Sequence, residues 1–515
     1  MRARYALLVA FVVSSGACVK TVDKHVFEPD VTLAASGELH ASTLKAHMRD
    51  GSLFVFDEWR ADEAARRVDG SGIRYDLDRN VVTTGSLGLT IDSVALFETN
   101  DLHTSPSIVP MTILTVGSIG ATVYCIANPK ACFGSCPTFY DPSDSDRILA
   151  EGFSASIAPS LEATDLDALP SVRPSGDLVR LFMRNEALET HVVRWADLVA
   201  VPRPPERRVY ALFDGGFVEA GPARAPEMCV APEGDCLPMI AEADARERLS
   251  LADSLDVATR EQVEIVFRPP PVADGERLGL VIVSRQSLLP TYILYQALAF
   301  MGTRATEWLA ALERQSPETQ GRTLALVGRL GSIRVEQYEP AGGWTDLGEV
   351  LETGPLARDT RVIPLAPTEA GPVRLRLALT KGMWRIDQLA LVSYRPARAA
   401  VRIRPTAVRR GGVPDEEALS RLVDGEAQLS TVPGDEYELI YRLPDPGASY
   451  ELFLESRGYY LEWMRDEWIR EENPLRAAQL FLDPAAAFRE MAPEFKRAEP
   501  DMERIFWSSR YAREP

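Results

Sequence analysis

Histidine is scarce in this chain of 515 residues, which contains five. They are His25, His40, His47, His103 and His191. Because no histidine follows residue 191, a Ser-His-Asp triad cannot be assembled from the C-terminal half alone. The motifs GxxxxGK[ST], GxGxxG and GxSxG are also absent. The usual sequence evidence for a nucleotide-binding enzyme, a dehydrogenase or a serine hydrolase is therefore missing.

Positive charge is in deficit. There are 56 lysines and arginines against 75 aspartates and glutamates, a formal net charge of −19. This balance argues against nucleic acid as a partner, since the electrostatic term that drives such binding would be repulsive. With 46% hydrophobic and 25% charged residues the chain has a globular composition. Its length suits about two to four domains.

Cysteine is limited to six residues. The Cys132-x3-Cys136 spacing lacks a second ligand pair at zinc-binding distance, so we expect neither a metal nor a cofactor. Cys229 and Cys236 flank a turn-rich loop and are predicted to form a disulfide. Cys132 and Cys136 are predicted to form another, with Gly134 allowing the tight loop. That pairing leaves Cys125 as a thiol outside both disulfides. A disulfide from Cys125 to Cys132 or Cys136 remains the alternative.

The N-terminus has the layout of a secretory signal over residues 1–17. Two arginines precede an apolar core from Tyr5 to Val13, and small residues follow up to Cys18. Ser15-Gly16-Ala17-Cys18 resembles the lipobox of bacterial lipoproteins. The resemblance implies cleavage before Cys18 and its acylation, palmitate included. It also implies an exported protein held by lipid in the bacterial envelope. An ordinary cleaved signal, which would release a soluble exported protein with Cys18 removed or unmodified, is the alternative. Val19 after the cysteine favours the outer membrane by the same analogy.

The pattern predicts a mixed β and α fold, of the α+β class. A tether over 18–30 leads to a small antiparallel β unit over 31–105, where short alternating strands are separated by turns. An apolar segment and cysteine knot follow over 106–140. Within it, Ile108 to Ala127 carries no charge. Three interpretations stay open for that stretch: a buried hairpin or helix, a segment lying on the membrane, or a true span.

The middle of the chain is predicted to be β-rich, with a β meander over 141–240. Thr164 or Asp165 would cap a short helix there, and Asp214-Gly-Gly predicts a hairpin. A strand hairpin with amphipathic helices follows over 241–320. Val263–Pro270 (VEIVFRPP) and Tyr437–Pro444 (YELIYRLP) resemble each other, and each precedes a second strand and an aromatic helix. We interpret them as a possible internal repeat.

A β-sandwich is predicted over 321–458, where many short strands alternate. Within it, WRIDQLALV is similar to the last strand of galactose-binding-like jelly rolls. That resemblance implies a sugar or peptide ligand near Trp344 or Trp384, whereas packing in the core or at the rim is the alternative. Helices are predicted over 459–515. Asn473-Pro474 and Asp483-Pro484 are typical helix starts.

These patterns favour a lipid-anchored envelope protein acting as a non-catalytic binding or scaffold subunit. The expected partners are the membrane, through the N-terminal lipid, and an envelope protein or glycan. An envelope enzyme is the alternative, using either a Cys132/Cys136 thiol site or a carboxylate pair acting on glycan. Leu461, Met464 and Trp468 form an apolar stripe at helical spacing, which we assign to packing against the sandwich. A third hypothesis is docking into a larger assembly through the C-terminal helices, which predicts an exposed apolar patch around Tyr459 to Trp468.

Overall fold

The computed structural model describes most of the chain. The described residues are 19–27, 43–48, 52–62, 64–75, 81–105, 136–187, 189–305, 308, 326, 328–340, 342–351, 354–367, 371–425, 427–462 and 471–508. Strands account for 49% of the structure and helices for 18%, which confirms a β-rich α+β protein. The chain divides into two compact units. The first comprises residues 1–124 and 464–472, and the second comprises residues 125–463 and 473–515.

The first unit is an antiparallel sheet of six strands in the order β1-β6-β2-β3-β4-β5. The strands are β1 (Val19–Phe27), β2 (Thr43–Met48), β3 (Leu53–Asp62), β4 (Arg67–Tyr75), β5 (Val81–Thr90) and β6 (Val94–Ser105). One face forms an apolar core, because alternate residues such as Leu44, Ala46 and Met48 point the same way. The small β unit predicted over 31–105 corresponds to this sheet.

The predicted tether over 18–30 is wrong for most of its length. Val19–Phe27 is β1, which pairs antiparallel with β6 from Val19 opposite Ser105 to Phe27 opposite Phe97. The turn-poor, polar sequence of this stretch gave no signal of burial. Its strand conformation depends on pairing with residues that lie 70 (Phe27 to Phe97) to 86 (Val19 to Ser105) positions away, which local patterning does not reveal.

The second unit contains the remaining strands and the helices. Its strands are β7 (Thr138–Asp141), β8 (Asp144–Glu151), β9 (Ala163–Ala168), β10 (Leu178–Arg184), β11 (Glu189–Pro202), β12 (Arg208–Leu212), β13 (Phe217–Ala220), β14 (Met228–Ala231), β15 (Gly234–Asp235), β16 (Arg260–Phe267), β17 (Arg277–Gln286), β18 (Ile333–Glu339), β19 (Gly343–Val350), β20 (Asp359–Pro364), β21 (Val373–Thr380), β22 (Trp384–Pro396), β23 (Val401–Ile403), β24 (Ala407–Arg410), β25 (Val413–Pro414), β26 (Leu429–Thr431), β27 (Glu436–Arg442) and β28 (Tyr450–Glu462). Its helices are α1 (Leu237–Ile240), α2 (Leu289–Met301), α3 (Glu416–Val423), α4 (Pro474–Leu482) and α5 (Pro484–Ser508).

Two sheets of the second unit share one apolar core. One has the order β25-β24-β27-β10-β7-β8, and the other has the order β23-β11-β28-β9, with β26 also pairing with β11. Val179, Leu181 and Met183 on β10 contribute to this core together with Leu198 on β11 and Leu454 on β28. Both sheets combine strands from before residue 203 with strands from after residue 400, so their pairing is strongly non-local.

Residues 208–396 are inserted between β11 and β23 and form two further sheets. Five strands close on themselves in the order β12-β13-β22-β17-β20, with β12 and β20 parallel. The other sheet has the order β15-β14-β16-β21-β18-β19. The predicted Asp214 hairpin joins β12 to β13, with Gly215 at a φ of +82°. β17 and β22 are buried along nearly their whole length, including polar residues such as Arg285 and Asp387.

The predicted sandwich boundaries, 321–458, need correction. β20, β21 and β22 pair with strands from 208–286, and β18 and β19 join the same group through β21. By contrast, β24 and β27 lie in the sheet that contains β10. The predicted hairpin of 241–320 is also wrong, since β16 and β17 lie in different sheets. The prediction assumed that neighbouring strands in sequence pair in space, which often fails when a segment is inserted into another.

The two repeat-like stretches share their strand pattern. β16 and β27 each lead into a strand of another sheet, β17 and β28 respectively. The first copy continues into α2 as predicted. The second does not, because Gly458 to Glu462 extends β28 in register with β11. The helical prediction from residue 459 is therefore wrong at its start. Leu461 lies in a strand, and Met464 and Trp468 lie outside the described residues.

The C-terminal helices begin where the sequence predicts. The Asn473 side chain accepts a hydrogen bond from the Arg476 amide at 3.2 Å, and Pro474 opens α4. The Asp483 side chain accepts one from the Ala486 amide at 3.1 Å before α5. No helix among the described residues has the length and apolar character needed to cross a membrane. The apolar stretch from Ile108 to Ala127 lies outside those residues.

Candidate functional site

Trp344, one of the two tryptophans predicted to meet a ligand, lies partly exposed on β19. It stands directly opposite Tyr338 on β18. The two rings pack edge to face, with centroids 5.4 Å apart. This arrangement follows from strand register, since residues facing each other across an antiparallel pair lie on the same face of the sheet.

Two arginines of β21 cover these rings. The Arg376 guanidinium lies 4.3 Å from the centroid of Trp344, and that of Arg374 lies 4.6 Å from the centroid of Tyr338. Both arginines alternate with the buried Val373, Leu375 and Leu377, so they share the outer face of β21. We call Tyr338, Trp344, Arg374 and Arg376 the aromatic–arginine surface.

Each arginine of this surface has an acidic neighbour. Arg376 pairs with Glu336 at 2.6 Å, and both side chains are largely buried. Arg374 lies 3.8 Å from Glu264, and each of these side chains is nearly half exposed. The second pair is weak because water screens it. The Arg374 guanidinium can therefore exchange the Glu264 carboxylate for a carboxylate of a ligand. The Arg376 guanidinium is held in place by Glu336.

Trp384 occupies a different environment. It begins β22, and its side chain is 1% exposed. Its indole Nε1 is buried and has no hydrogen-bond partner among the described residues. The structure does not support ligand contact at Trp384. The alternative interpretation, a core tryptophan, describes it correctly.

A second tryptophan with arginine neighbours was missed by the sequence analysis. Trp195 on β11 lies beside the guanidinium groups of Arg402 at 4.8 Å and Arg457 at 5.6 Å. Its Nε1 donates to Glu455 at 3.2 Å. The three partners come from β23 and β28, more than 200 residues away in sequence, so only the register of β11 with these strands assembles the cluster. The indole N–H of Trp195 already donates to Glu455, so we interpret Trp195 as a structural residue. It contrasts with Trp344, for which a ligand-binding role is predicted.

The predicted cysteine sites have different outcomes. Cys229 and Cys236 are placed for a disulfide, with Cα atoms 5.1 Å apart at the two ends of the β14 to β15 turn. Cys136 is buried at the start of β7, and its carbonyl accepts from the Thr138 hydroxyl at 3.0 Å. Cys18, Cys125 and Cys132 lie outside the described residues, so lipidation and the Cys132–Cys136 pairing stay predictions.

A cluster of buried carboxyl groups is the strongest electrostatic feature of the second unit. Asp165 and Asp167 lie on β9, Asp359 on β20 and Glu151 at the end of β8. The predicted cap role of Asp165 is wrong, because the residue lies within a strand that pairs with β28. Asp165 and Asp167 are two residues apart in this strand, so both lie on the face of β9 that is directed towards Asp359 and Glu151.

Arg361 supplies the positive charge of this cluster. Its Nε lies 3.1 Å from Asp359, and its Nη2 donates to the Leu166 carbonyl at 2.5 Å. Glu151 accepts from the Leu356 amide at 2.6 Å and from the Ala357 amide at 3.4 Å. The cluster therefore joins β8, β9 and the segment leading into β20.

Burial raises the pKa of three of these carboxyl groups. Although Asp165 keeps some solvent contact, desolvation and then the neighbouring Asp359 charge raise its pKa to about 6, against an opposing effect of Arg361. Desolvation raises the pKa of Asp167 well above its usual value, with Asp165 and Asp359 adding to the effect. Desolvation also raises the pKa of Asp359, opposed by Arg361. Arg361 opposes these shifts but does not cancel them.

Across the described part of the chain, no three histidine, cysteine, aspartate or glutamate residues converge in an arrangement that could hold a metal ion. The Leu356 and Ala357 amides both donate to the Oε2 atom of Glu151. Perturbed carboxyl groups are a feature of active sites, but buried ion networks produce them too.

Comparisons with known proteins do not identify a family. No family model matches the chain, and no curated protein matches it. Among solved structures, BuGH86wt in complex with neoagarooctaose is 6% identical, with 45% of this chain and 34% of that chain covered and a TM-score of 0.17. A mutant of Salmonella alpha-2-macroglobulin is 11% identical, with 83% and 30% covered and a TM-score of 0.10. The chain spans about a third of the length of each. Similarity this low carries no argument about fold or function.

Proposed function

We propose that this chain is a lipid-anchored protein of the bacterial cell envelope, with Cys18 acylated after removal of residues 1–17. It acts as a non-catalytic binding or scaffold subunit of the outer membrane. The secretory layout of the N-terminus and its lipobox-like residues support the location. The net charge of −19 supports attachment by acyl chains, since the folded part would be repelled by anionic lipid.

The aromatic–arginine surface carries the proposed binding role. Trp344 and Tyr338 offer ring faces and edges to a flat apolar patch, such as the C–H face of a sugar ring. Arg374 offers a guanidinium, which matches the geometry of a carboxylate. The ligand class is a carboxylated glycan. Within an acidic protein, such a ligand meets least repulsion where arginines balance the local carboxylates.

We propose that residues 208–396 form a jelly-roll-like β-sandwich around this surface. The prediction rested on WRIDQLALV, which in the structure lies in β22 between β13 and β17. The six-stranded sheet with the order β15-β14-β16-β21-β18-β19 has an apolar inner face, with Val263, Ile265, Leu375 and Leu377 all buried. An apolar inner face opposite a polar outer face is what a sandwich requires.

The test is affinity electrophoresis and calorimetry of the full chain with polygalacturonate as the carboxylated glycan and dextran as the neutral one. We expect binding to polygalacturonate, weakened at least about tenfold by Trp344→Ala and by Arg374→Gln. Trp195→Ala is the matched control, because it removes a tryptophan flanked by arginines on another sheet. Equal loss in the control, or no binding by the unaltered chain, would reject the proposal.

An envelope enzyme acting on glycan through carboxylates is the second candidate. The raised pKa values of Asp165, Asp167 and Asp359 favour it, since a general acid needs such a shift. The test is release of reducing ends from glycan by the unaltered chain and by Asp165→Asn. Activity lost in Asp165→Asn but kept in Asp274→Asn, an exposed control, would favour catalysis over binding. If the enzyme instead uses the Cys132/Cys136 thiol site, Cys136→Ser should change the cellular phenotype while leaving the fold intact.

A further inference from the structure

The aromatic–arginine surface continues across its sheet as a longer row of side chains. Met228 on β14 lies opposite Val266 on β16, and Val266 lies opposite Arg374 on β21. The register of β18 with β21 brings Tyr338 beside Arg374, with the ring centroid and the guanidinium carbon 4.6 Å apart. Tyr338 in turn lies opposite Trp344 on β19. We call these five residues the cross-strand row.

The side chains of the cross-strand row lie on the outer face of the sheet. Along β14, β16 and β21 they alternate with buried residues. Met228 is 42% exposed, the Arg374 side chain is 46% exposed, and the other three are partly exposed. Neighbouring strands lie about 4.8 Å apart, so the row is about 19 Å long. An extended polymer fills a row of this length, whereas a single sugar does not.

Arg374 is the single charged residue of the cross-strand row. Its neighbours in the row, Val266 and Tyr338, are neutral. Tyr338 and Trp344 provide aromatic surface on one side of the arginine, and Met228 provides a flexible apolar thioether at the far end of the other side. A ligand that fills the row therefore needs a negative charge with uncharged parts on both sides of it.

A second row on the same face limits the negative charge that a ligand can carry. It lies two residues away along each strand, at a distance of about 7 Å. Its members, in the same strand order, are Val230, Glu264, Arg376, Glu336 and Asp346. Three carboxylates in this row stand against one arginine, and that arginine is held by Glu336. Ligand carboxylates on either side of the one at Arg374 would meet this negative row.

The arginines beside the two rows are already paired. Arg268, which follows β16, pairs with Glu227 at 2.9 Å, and Arg334 on β18 pairs with Asp346 at 3.4 Å. The surrounding surface is thus balanced or negative, on a chain whose net charge is −19. Repulsion between like charges across an interface disfavours a ligand with a carboxylate on every sugar.

We propose that the cross-strand row binds an extended polysaccharide whose carboxylated sugars are separated by neutral ones, with one carboxylate at Arg374 and neutral sugars reaching Met228 on one side and Trp344 on the other. The Arg374 guanidinium exchanges the Glu264 carboxylate for that of the ligand. The polymer crosses the strands and does not run along them. This inference rests on the proposed function of the aromatic–arginine surface and adds the direction, length and charge spacing of its ligand.

The experiment is calorimetry of the full chain with galacturonate oligosaccharides of one length, long enough to cover the row. They differ only in methyl esterification, which removes the charge of a carboxylate and leaves the sugar chain unchanged. One form has every carboxylate free, one has a single free carboxylate in its interior with esters on both sides, and one is fully esterified. The singly charged form should bind at least about tenfold more tightly than either of the others.

A double alanine variant tests the length of the row. Met228→Ala with Val266→Ala removes the apolar contacts remote from Trp344 and should weaken binding of the singly charged form at least about threefold. Val230→Ala is the matched control, because Val230 is 47% exposed on the same strand as Met228 but belongs to the second row. It should bind as the unaltered chain does. If circular dichroism shows that the double variant does not fold, Met228→Ala alone decides.

The inference is overturned if the singly charged form does not bind most tightly. It is also overturned if removal of the Met228 side chain leaves that binding unchanged. In both cases the proposed function stands, provided that Trp344→Ala weakens binding and Trp195→Ala does not. If none of the three forms binds, the proposed function itself is rejected.

Discussion

Arg361 and Asp359 form an ion pair of 3.1 Å within one strand, two residues apart on the same face of β20. This single guanidinium serves a cluster that also contains Asp165, Asp167 and Glu151. Because the pKa values of Asp165, Asp167 and Asp359 are raised, we expect these carboxyl groups in the folded chain to keep protons at a pH where the unfolded chain has released them. The stability of the second unit should depend on pH in a direction opposite to that of ordinary surface carboxylates.

The pH dependence follows from the raised pKa values. The Asp165 carboxyl has a pKa of about 6 when folded against 3.8 as its ordinary value. The stabilising effect of its bound proton is complete below pH 3.8 and is lost as pH rises through about 6. We expect the cluster's contribution to the free energy of unfolding to fall by about 1 to 3 kcal/mol over this window. Urea unfolding at pH 4.5 and pH 7.5 measures it.

Asp167→Asn should reduce that dependence. The Asp167 Oδ2 atom is buried and has no hydrogen-bond partner among the described residues, so the amide removes a costly charge without breaking a bond to that atom. We expect greater stability at pH 7.5 and little change at pH 4.5. Asp274→Asn, at an exposed turn, is the control. Destabilisation of Asp167→Asn at both pH values would contradict the proposed protonation.

Glu151 should be needed to hold the segment that precedes β20. Replacement by alanine leaves the Leu356 and Ala357 amides without this acceptor and should cost about 2 to 4 kcal/mol. Glu151→Gln keeps an acceptor oxygen and should cost less. Gly354→Ala tests the same contact from the other side, because its Cβ would meet the Glu151 carboxylate at 2.5 Å and its φ is +77°. Thermal unfolding of the three variants gives the ranking, and equal losses would refute it.

Trp384 should tolerate an aromatic replacement but not a small one. Trp384→Ala leaves a large cavity in a side-chain site that is 1% exposed and should cost about 3 to 5 kcal/mol. Trp384→Phe removes the unpartnered indole N–H and should cost less than about 1.5 kcal/mol. Chemical denaturation distinguishes the two. Similar losses would mean that the indole nitrogen matters to the core.

The Cys229–Cys236 bridge should stabilise modestly. It closes a short loop, with a sequence separation of seven, so a Cys229→Ser, Cys236→Ser variant should lose about 2 kcal/mol. Unfolding of the unaltered chain with and without reductant measures the same quantity. Peptide mass mapping before and after reduction checks that the bond exists. A variant that fails to fold would show that the loop packs more tightly than its length suggests.

Local signals in the sequence predicted local structure well. The Asp214-Gly-Gly turn, the helix starts at Asn473 and Asp483, and the proximity of Cys229 to Cys236 each depend on a few adjacent residues. The failures concern long-range pairing. β1 was taken for a tether, Asp165 for a helix cap and Tyr459 for a helical residue, because in each case the partner strand lies far away in sequence.

The same division applies to the candidate site. Trp344 was identifiable as one of a few tryptophans in a strand-rich region. Its neighbours were not, because Tyr338 and Arg376 reach it only through the register of β18 with β19 and β21. A shift of one residue would turn each side chain to the opposite face. No local pattern specifies that register.

By itself the sequence determined a β-rich α+β protein, its acidic surface, its lipoprotein-like N-terminus and the absence of the common catalytic motifs. The tertiary structure alone decided that residues 208–396 are inserted between β11 and β23, that Trp384 is buried while Trp344 is partly exposed, and that three aspartates lie near Arg361. The reason is physical. Composition and turn chemistry act over a few residues, whereas sheet pairing and burial depend on contacts between segments hundreds of residues apart.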